Sequence, residues 1–242
     1  SCIFYANAAR AGNLVVFTHS RAWMRDSSCP ALIASFMNPP EPLPTSNLTW
    51  TLSRVPREDR WRRLGQSGVV VWLTGLSGSG KSTLAVALDN ALCELGRHSH
   101  ILDGDNLRQG LCKGLSFSEE DRIENIRRTG EAAKLLAEAG MIAICSLISP
   151  FVTQRQEARQ SCEKAGITFL EVFVNAPIEV CEQRDPRGLY RKARAGQIPQ
   201  FTGIASPYEL PEHPDIELRT DLMPLENCLS TLAARVIEAA KL

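Results

Sequence analysis

Gly75-Leu76-Ser77-Gly78-Ser79-Gly80-Lys81-Ser82 decides how this chain is read. The run fits G-x-x-x-x-G-K-[ST], comes after the apolar stretch Val69-Val70-Val71-Trp72-Leu73 and opens the helical pattern Thr83-Leu84-Ala85-Val86-Ala87-Leu88. A strand, a glycine-rich turn and a helix in that order are the context a phosphate-binding P-loop requires. Its glycines admit backbone angles closed to other residues and let main-chain N–H groups approach an anion. A helix starting near Gly80 adds unpaired N–H groups and the positive end of its dipole. In such a loop Lys81 reaches the β- and γ-phosphates, and the Ser82 hydroxyl is placed on Mg2+. Gly75, Ser77, Gly78, Ser79, Gly80, Lys81, Ser82 and Thr83 are therefore the expected ATP-binding residues.

Outward from this loop the chain alternates. Short apolar runs predict strands over 69–74, 99–103, 141–147 and 168–174. Helices are predicted over 80–95, 119–139, 153–165, 178–184 and 224–240, with Ser118-Glu119-Glu120-Asp121 reading as a capping box. The expected class is α/β: a mostly parallel β-sheet flanked by helices, a P-loop NTPase fold with a basic lid. Ligands of such a sheet bind at the carboxyl ends of its strands.

Bulk properties narrow the partners. Of 242 residues 44% are apolar and 22% charged, an ordinary globular composition. Lys+Arg and Asp+Glu both number 27, so no net field draws the chain to nucleic acid or an anionic membrane. No stretch approaches the length of uninterrupted apolar residues that spans a bilayer. The eight cysteines form no C-x-x-C pair, which suits a reduced, cytoplasmic protein. His98 and His100 alternate at the start of a strand, where exposed or capping roles are expected rather than metal ligation.

Residues 1–46 differ from the rest. Asp26 and Glu41 are their only acids, and they end in Pro39-Pro40-Glu41-Pro42-Leu43-Pro44, a linker signal. The expected division is an N-terminal extension, 1–46, and a catalytic domain, 47–242. The extension is expected to be disordered or no part of the functional protein, with translation starting at Met37. A transit peptide, and with it a plastid location, is the alternative.

Four further stretches bear on the substrate. Leu102-Asp103-Gly104-Asp105-Asn106-Leu107-Arg108 ends the second strand. Its paired acids suit a kinase, one serving the metal shell and the other the attacking hydroxyl; an Asp-Gly turn with Asp105 capping the next helix fits equally. Arg122 and Asn125 share a helix face and could meet one ligand, whereas Arg127 reads as part of a solvated charged face. Ile148-Ser149-Pro150 ends the third strand, as a substrate contact or a plain terminator. Arg184-Asp185-Pro186-Arg187-Gly188-Leu189-Tyr190-Arg191-Lys192-Ala193-Arg194-Ala195-Gly196 is strongly basic. In a neutral chain it suggests a mobile lid over polyphosphate, with a nucleic-acid patch as runner-up.

Together, GLSGSGKST at 75–83, LDGDNLR at 102–108, FSEEDRIENIRR at 117–128, ISP at 148–150, RDPRGLYRKARAG at 184–196 and FTGI at 201–204 resemble the adenylylsulfate kinase family. The resemblance runs from about Trp50 to Lys241. It implies transfer of the ATP γ-phosphate to the 3′-hydroxyl of adenosine 5′-phosphosulfate, with Mg2+ as cofactor and a homodimer as the common assembly. Carried over by motif, Asp105, Arg108, Phe117, Arg122, Asn125, Ile148, Ser149, Arg187 and Phe201 would bind the acceptor. Phe117 and Phe201 would sandwich its adenine, and Arg108 and Arg122 would grip its phosphosulfate. Arg184 would join the ATP site, Ser82 and Asp103 the metal site, and Lys81, Asp105 and Ser149 the catalytic group. Ser149 corresponds to a serine described in the family as a phosphoserine intermediate. Direct in-line transfer needs no such nucleophile, so a hydrogen-bonding role is the milder expectation.

The chain departs from the family pattern at Gln109, Cys112, Ser116, Asn175 and Ala205, and carries Arg187 where Lys is frequent. Ser116, in place of a glycine, is the departure expected to shift Phe117. Two other readings stay open: a P-loop small-molecule kinase with a different acceptor, and a non-catalytic nucleotide-binding regulatory module of the same fold.

Overall fold

The computed structural model describes Thr49, Thr51 and residues 53–242. Ser53–Leu242 forms one compact unit, and the expectations for residues 1–46 lie outside the described residues. Helix α1 (Arg57–Leu64) leads to β1 (Val69–Thr74) and α2 (Lys81–Glu94). Then come β2 (Ser99–Asp103), the short α3 (Gly104–Leu107), α4 (Glu119–Glu138), β3 (Ile142–Ser146), α5 (Val152–Lys164) and β4 (Thr168–Asn175). The chain ends through α6 (Ile178–Arg184), α7 (Leu189–Arg194), β5 (Ile216–Arg219) and α8 (Leu225–Ala239).

The five strands lie in the order β2-β3-β1-β4-β5, and every pair is parallel. β1 is central, with Val69 opposite Ile142 on one side and Thr168 on the other. A strand covered on both faces reads as a continuous apolar run, which is what Val69–Leu73 is. Its side chains alternate between two cores. Val69, Val71 and Leu73 pack with Leu84 and Leu88 of α2 and Leu232 and Val236 of α8. Val70 and Trp72 pack with Ile126 and Ala133 of α4 and Ala158 and Cys162 of α5. Each such burial contributes about 1.5–3 kcal/mol, so the site-bearing end of β1 is held from both sides. A third, smaller cluster joins Leu76 of the loop after β1 to Ile178, Cys181, Tyr190 and Phe201.

The α/β fold agrees with the sequence reading, and every predicted strand and helix is present within one or two residues at its ends. Four elements go beyond its ranges, the short α3 and α7 together with β5 and α1. β5 is a four-residue strand, Ile-Glu-Leu-Arg, too short to show periodicity; pairing with β4 and burial of Ile216 and Leu218 make it a strand. α1 has no apolar stripe, and docks through Trp61, whose Nε1 donates to the Ala137 carbonyl at 3.1 Å. The capping box is half formed: the Ser118 hydroxyl accepts from Asp121 N–H at 3.2 Å, but the Asp121 carboxylate turns to Ser116 N–H at 2.7 Å. Among the described residues no helix is long and apolar enough to cross a membrane. Cys112, Cys145, Cys162, Cys181 and Cys228 are free and buried, Cys93 is free and exposed, and His98 and His100 are exposed.

Candidate active site

The loop between β1 and α2 carries positive φ angles at Gly75 (146°), Gly78 (77°) and Gly80 (103°). At Gly75 a Cβ would meet the Val174 carbonyl oxygen at 2.4 Å, so only glycine fits. Gly80 is the N-cap of α2 and supplies no side chain to it, leaving the first N–H groups of the helix free to face an anion. Lys81 is 8% exposed, and its ammonium donates to the carbonyls of Gly75 (2.9 Å) and Leu76 (2.7 Å). Burial pushes its pKa down to about 8, an effect that Cys181 and Asp103 partly offset. Ser79 is buried, with a hydroxyl lacking any partner among the described residues.

The parallel register sets Asp103, at the end of β2, beside Ser146 at the end of β3, next to the start of α2. Ser82 Oγ lies 2.9 Å from Asp103 Oδ2 and 3.3 Å from Ser146 Oγ. These are hard oxygen donors of the type a small divalent cation takes alongside phosphate oxygens, so the residues fit one. The other Asp103 oxygen accepts from Asp105 N–H at 3.0 Å and caps α3. The capping role thus falls to Asp103, and the Asp105 carboxylate is left to pair with Arg187 from the segment between α6 and α7.

The basic stretch covers the loop. Arg184 donates to the Thr220 carbonyl at 2.6 Å, and approaches the carbonyls of Gly78 (3.4 Å) and Ser79 (3.5 Å). Tyr190 of α7 donates its hydroxyl to the Ser77 carbonyl at 2.9 Å, and its ring meets Phe201 edge-on at 5.0 Å.

On the other side, Arg108 stacks over the Phe117 ring at 4.3 Å and donates to the Ser116 carbonyl at 2.7 Å. Phe117 is 61% exposed, whereas Phe201 is buried against Tyr190. Arg122 donates to Thr202 Oγ1 at 3.0 Å and to the Gln200 carbonyl, which ties the start of α4 to the segment carrying Phe201. Asn125 is 4% exposed, and its Nδ2 has no partner among the described residues. The Ile148 carbonyl accepts from Thr74 Oγ1 at 2.8 Å. Ser149 is buried at φ 40°, its Oγ accepting from Trp72 Nε1 (3.1 Å) and donating to Thr74 Oγ1 (3.0 Å). Thr83 is exposed on the first turn of α2. Lys81, Ser82, Asp103, Asp105, Arg187 and Arg184 therefore gather around the loop; Phe201 joins it through Tyr190 and Leu76, Arg122 bonds the Phe201 segment, and Arg108 stacks on Phe117.

The family model described as adenylylsulphate kinase matches residues 67–219. The chain belongs to the adenylylsulphate kinase family. An adenylyl-sulfate kinase of Marinobacter nauticus is 52% identical over 193 residues, covering 80% of this chain and 96% of that protein. One of Staphylococcus haemolyticus is 52% identical over 188 residues, covering 78% and 94%. Among solved structures, the Mycobacterium tuberculosis APS kinase CysC in complex with AMPPNP and APS superposes with a TM-score of 0.67 at 47% identity. The match covers 71% of this chain and 98% of that one.

The departure from the adenylylsulphate kinase pattern at Ser116 is accommodated. Its φ is not in the left-handed region, and its N–H and hydroxyl both reach the Asp121 carboxylate, which they hold below the usual carboxylate range. Sequence reasoning missed Arg155, Tyr208, Thr220 and Glu209. Thr220 Oγ1 donates to the Ser79 carbonyl at 2.7 Å, and Tyr208 Oη lies 2.9 Å from Thr74 Oγ1. Thr220, Tyr208 and Glu209 act across more than fifty residues of chain, and Arg155 joins near neighbours to Glu209 fifty-four residues on, so no local spacing reveals them.

Proposed function

We propose a division of labour in this kinase, which uses ATP to phosphorylate adenosine 5′-phosphosulfate, as its family membership establishes. The observation that carries it is the meeting of Lys81, Ser82, Asp103 and Asp105 at the ends of β1 and β2. The loop N–H groups and Lys81 bind the ATP phosphates, with Arg184 beside them. The family implies a divalent metal, and we take it to be Mg2+. Ser82 and Asp103 would hold it, and it would supply positive charge to the phosphates. Asp105 orients or deprotonates the 3′-hydroxyl of the acceptor. It first exchanges its pairing with Arg187, a pair exposed on both sides and worth about 0–1 kcal/mol, so the exchange costs little. Arg108 and Arg122 bind the phosphosulfate, and Phe117 and Phe201 the adenine. Asn125 Nδ2, a buried donor without a nitrogen or oxygen acceptor among the described residues, supports placing that residue against the acceptor. Ser149 holds the strand end through hydrogen bonds instead of acting as a nucleophile.

A homodimer and a cytoplasmic location complete the reading. The buried free thiols support the second, with a plastid as alternative if residues 1–46 are a transit peptide. One related structure is a hexameric APS kinase of Thiobacillus denitrificans, so light scattering must discriminate between the assemblies. The test of the chemistry is ADP release from Mg-ATP with and without adenosine 5′-phosphosulfate, with the product weighed by mass spectrometry. Acceptor-dependent ADP release with one phosphate added is expected. ATP binding without acceptor-dependent release would point to a regulatory module.

A further inference from the structure

We propose that Arg155, on α5 and outside every motif of the site, is a positioning residue that fixes the acceptor half of that site. It is 2% exposed. Its guanidinium bonds three separate segments: Nε to Glu171 Oε1 on β4 at 2.7 Å, Nη1 to the Ser149 carbonyl at 2.7 Å and Nη2 to the Glu209 carbonyl at 2.9 Å. Glu171 balances the buried charge, while the fixed fork of N–H groups spans the other two segments. Glu209 closes the clasp from the far side. Its N–H donates to the Pro150 carbonyl at 2.8 Å, and its carboxylate accepts from Val152 N–H at 2.6 Å. The Tyr208 ring lies 5.9 Å from the guanidinium. One side chain therefore locks the segment after β3, residues 148–150, to the segment just beyond Phe201.

The backbone shows why a lock is needed. Ser149 sits at φ 40°, a left-handed conformation that persists in a non-glycine residue only where its surroundings over-determine it. Its hydroxyl is fixed by Trp72 and Thr74, and its carbonyl by Arg155. Releasing the carbonyl lets Ser149 relax, which re-aims Ile148 and Pro150. Among the described residues Arg155 makes no bond to Gly75–Ser82 or to Arg184, so the effect belongs to the acceptor and not to ATP.

This inference rests on the reading that Ile148, Ser149 and Phe201 face the acceptor, and its test separates the two. Arg155→Lys keeps the charge for Glu171 but loses the fork. Its KM for adenosine 5′-phosphosulfate should rise on the order of tenfold, with the KM for ATP within about twofold of wild type. A purely structural role would lower the active fraction, and so the apparent kcat, with both KM values unchanged. Glu171→Gln, which keeps an acceptor for Nε but removes the charge that holds the guanidinium, should give the same selective shift at smaller size, and it carries the test if Arg155→Lys does not fold. Unchanged KM values, or equal shifts in both, overturn the proposal. Phe117→Ala is measured alongside. If it raises the acceptor KM while the clasp variants do not, the clasp is wrong; if it too leaves that KM unmoved, the underlying pocket reading is wrong.

Discussion

Lys81 gives the site a pH signature. Its pKa is pushed down to about 8 from 10.5 by burial, so between those values the folded chain binds fewer protons than the unfolded one. Stability contributed by this group therefore rises with pH across that window, since burying the ammonium is what costs free energy. Catalysis responds in the opposite sense, because the ammonium is the form that meets phosphate. The profile of kcat/KM for ATP should fall through about pH 8, and the corresponding limb of kcat should lie higher, because bound phosphate favours the charged amine. A kcat/KM profile flat to about pH 9.5 would contradict this. Phe117 makes the complementary case. It is exposed and free of core packing apart from Arg108, so Phe117→Ala should leave thermal stability within about 0.5 kcal/mol. The acceptor KM should rise by about tenfold, the loss of roughly 1–3 kcal/mol of base stacking. An effect confined to the ATP KM would defeat the adenine assignment. Lys81 was legible because it sits in a short motif whose spacing carries its chemistry, whereas Phe117 was singled out only by the resemblance to the family. Arg155 was not, since in Val152–Lys164 it is one charge among several, and its partners lie on other segments.

Among elements, α4 links local sequence to the site most directly. Its N-cap hydroxyl, Ser118, takes the Asp121 N–H, while its first two turns carry Arg122, which donates to Thr202, and Asn125, the two proposed to meet the acceptor. Ser118→Ala should cost about 1 kcal/mol, and thus lower Tm by about 2–4 °C in a domain of this size. The same change should raise the acceptor KM more than the ATP KM; a fall in Tm with no kinetic change would show the helix start to be held by Ser116 and Asp121 alone. The central elements were readable from sequence because β1 is apolar on both faces and the Gly75–Ser82 turn dictates a helix immediately after it. β5 and α1 were not, for opposite reasons. β5 draws its identity from β4, and α1 presents mostly charge and one tryptophan, so neither has a pattern apart from its tertiary contacts.

For the whole molecule, the proposed domain of 47–242 implies that a chain beginning at Asn47 keeps kcat and both KM values within about twofold of the full chain. A tenfold loss, roughly 1.4 kcal/mol, would assign residues 1–46 a part in turnover. The described unit is also polarised along its strands. At the end opposite the site, Gln66 is 0% exposed, and its amide donates to the carbonyls of His98 (2.9 Å) and Gly140 (2.8 Å) and accepts from His98 N–H (3.0 Å). Nearby, Ser67 N–H donates to the Ala240 carbonyl at 2.9 Å. Gln66→Leu would strand these buried groups at about 1–3 kcal/mol each, so a large fall in Tm is expected with both KM values unmoved. The strands entering β2 and β3 are thus bound at a common spine. Their far ends carry the groups proposed to meet the substrates, so the acceptor pocket can change without unbinding the sheet.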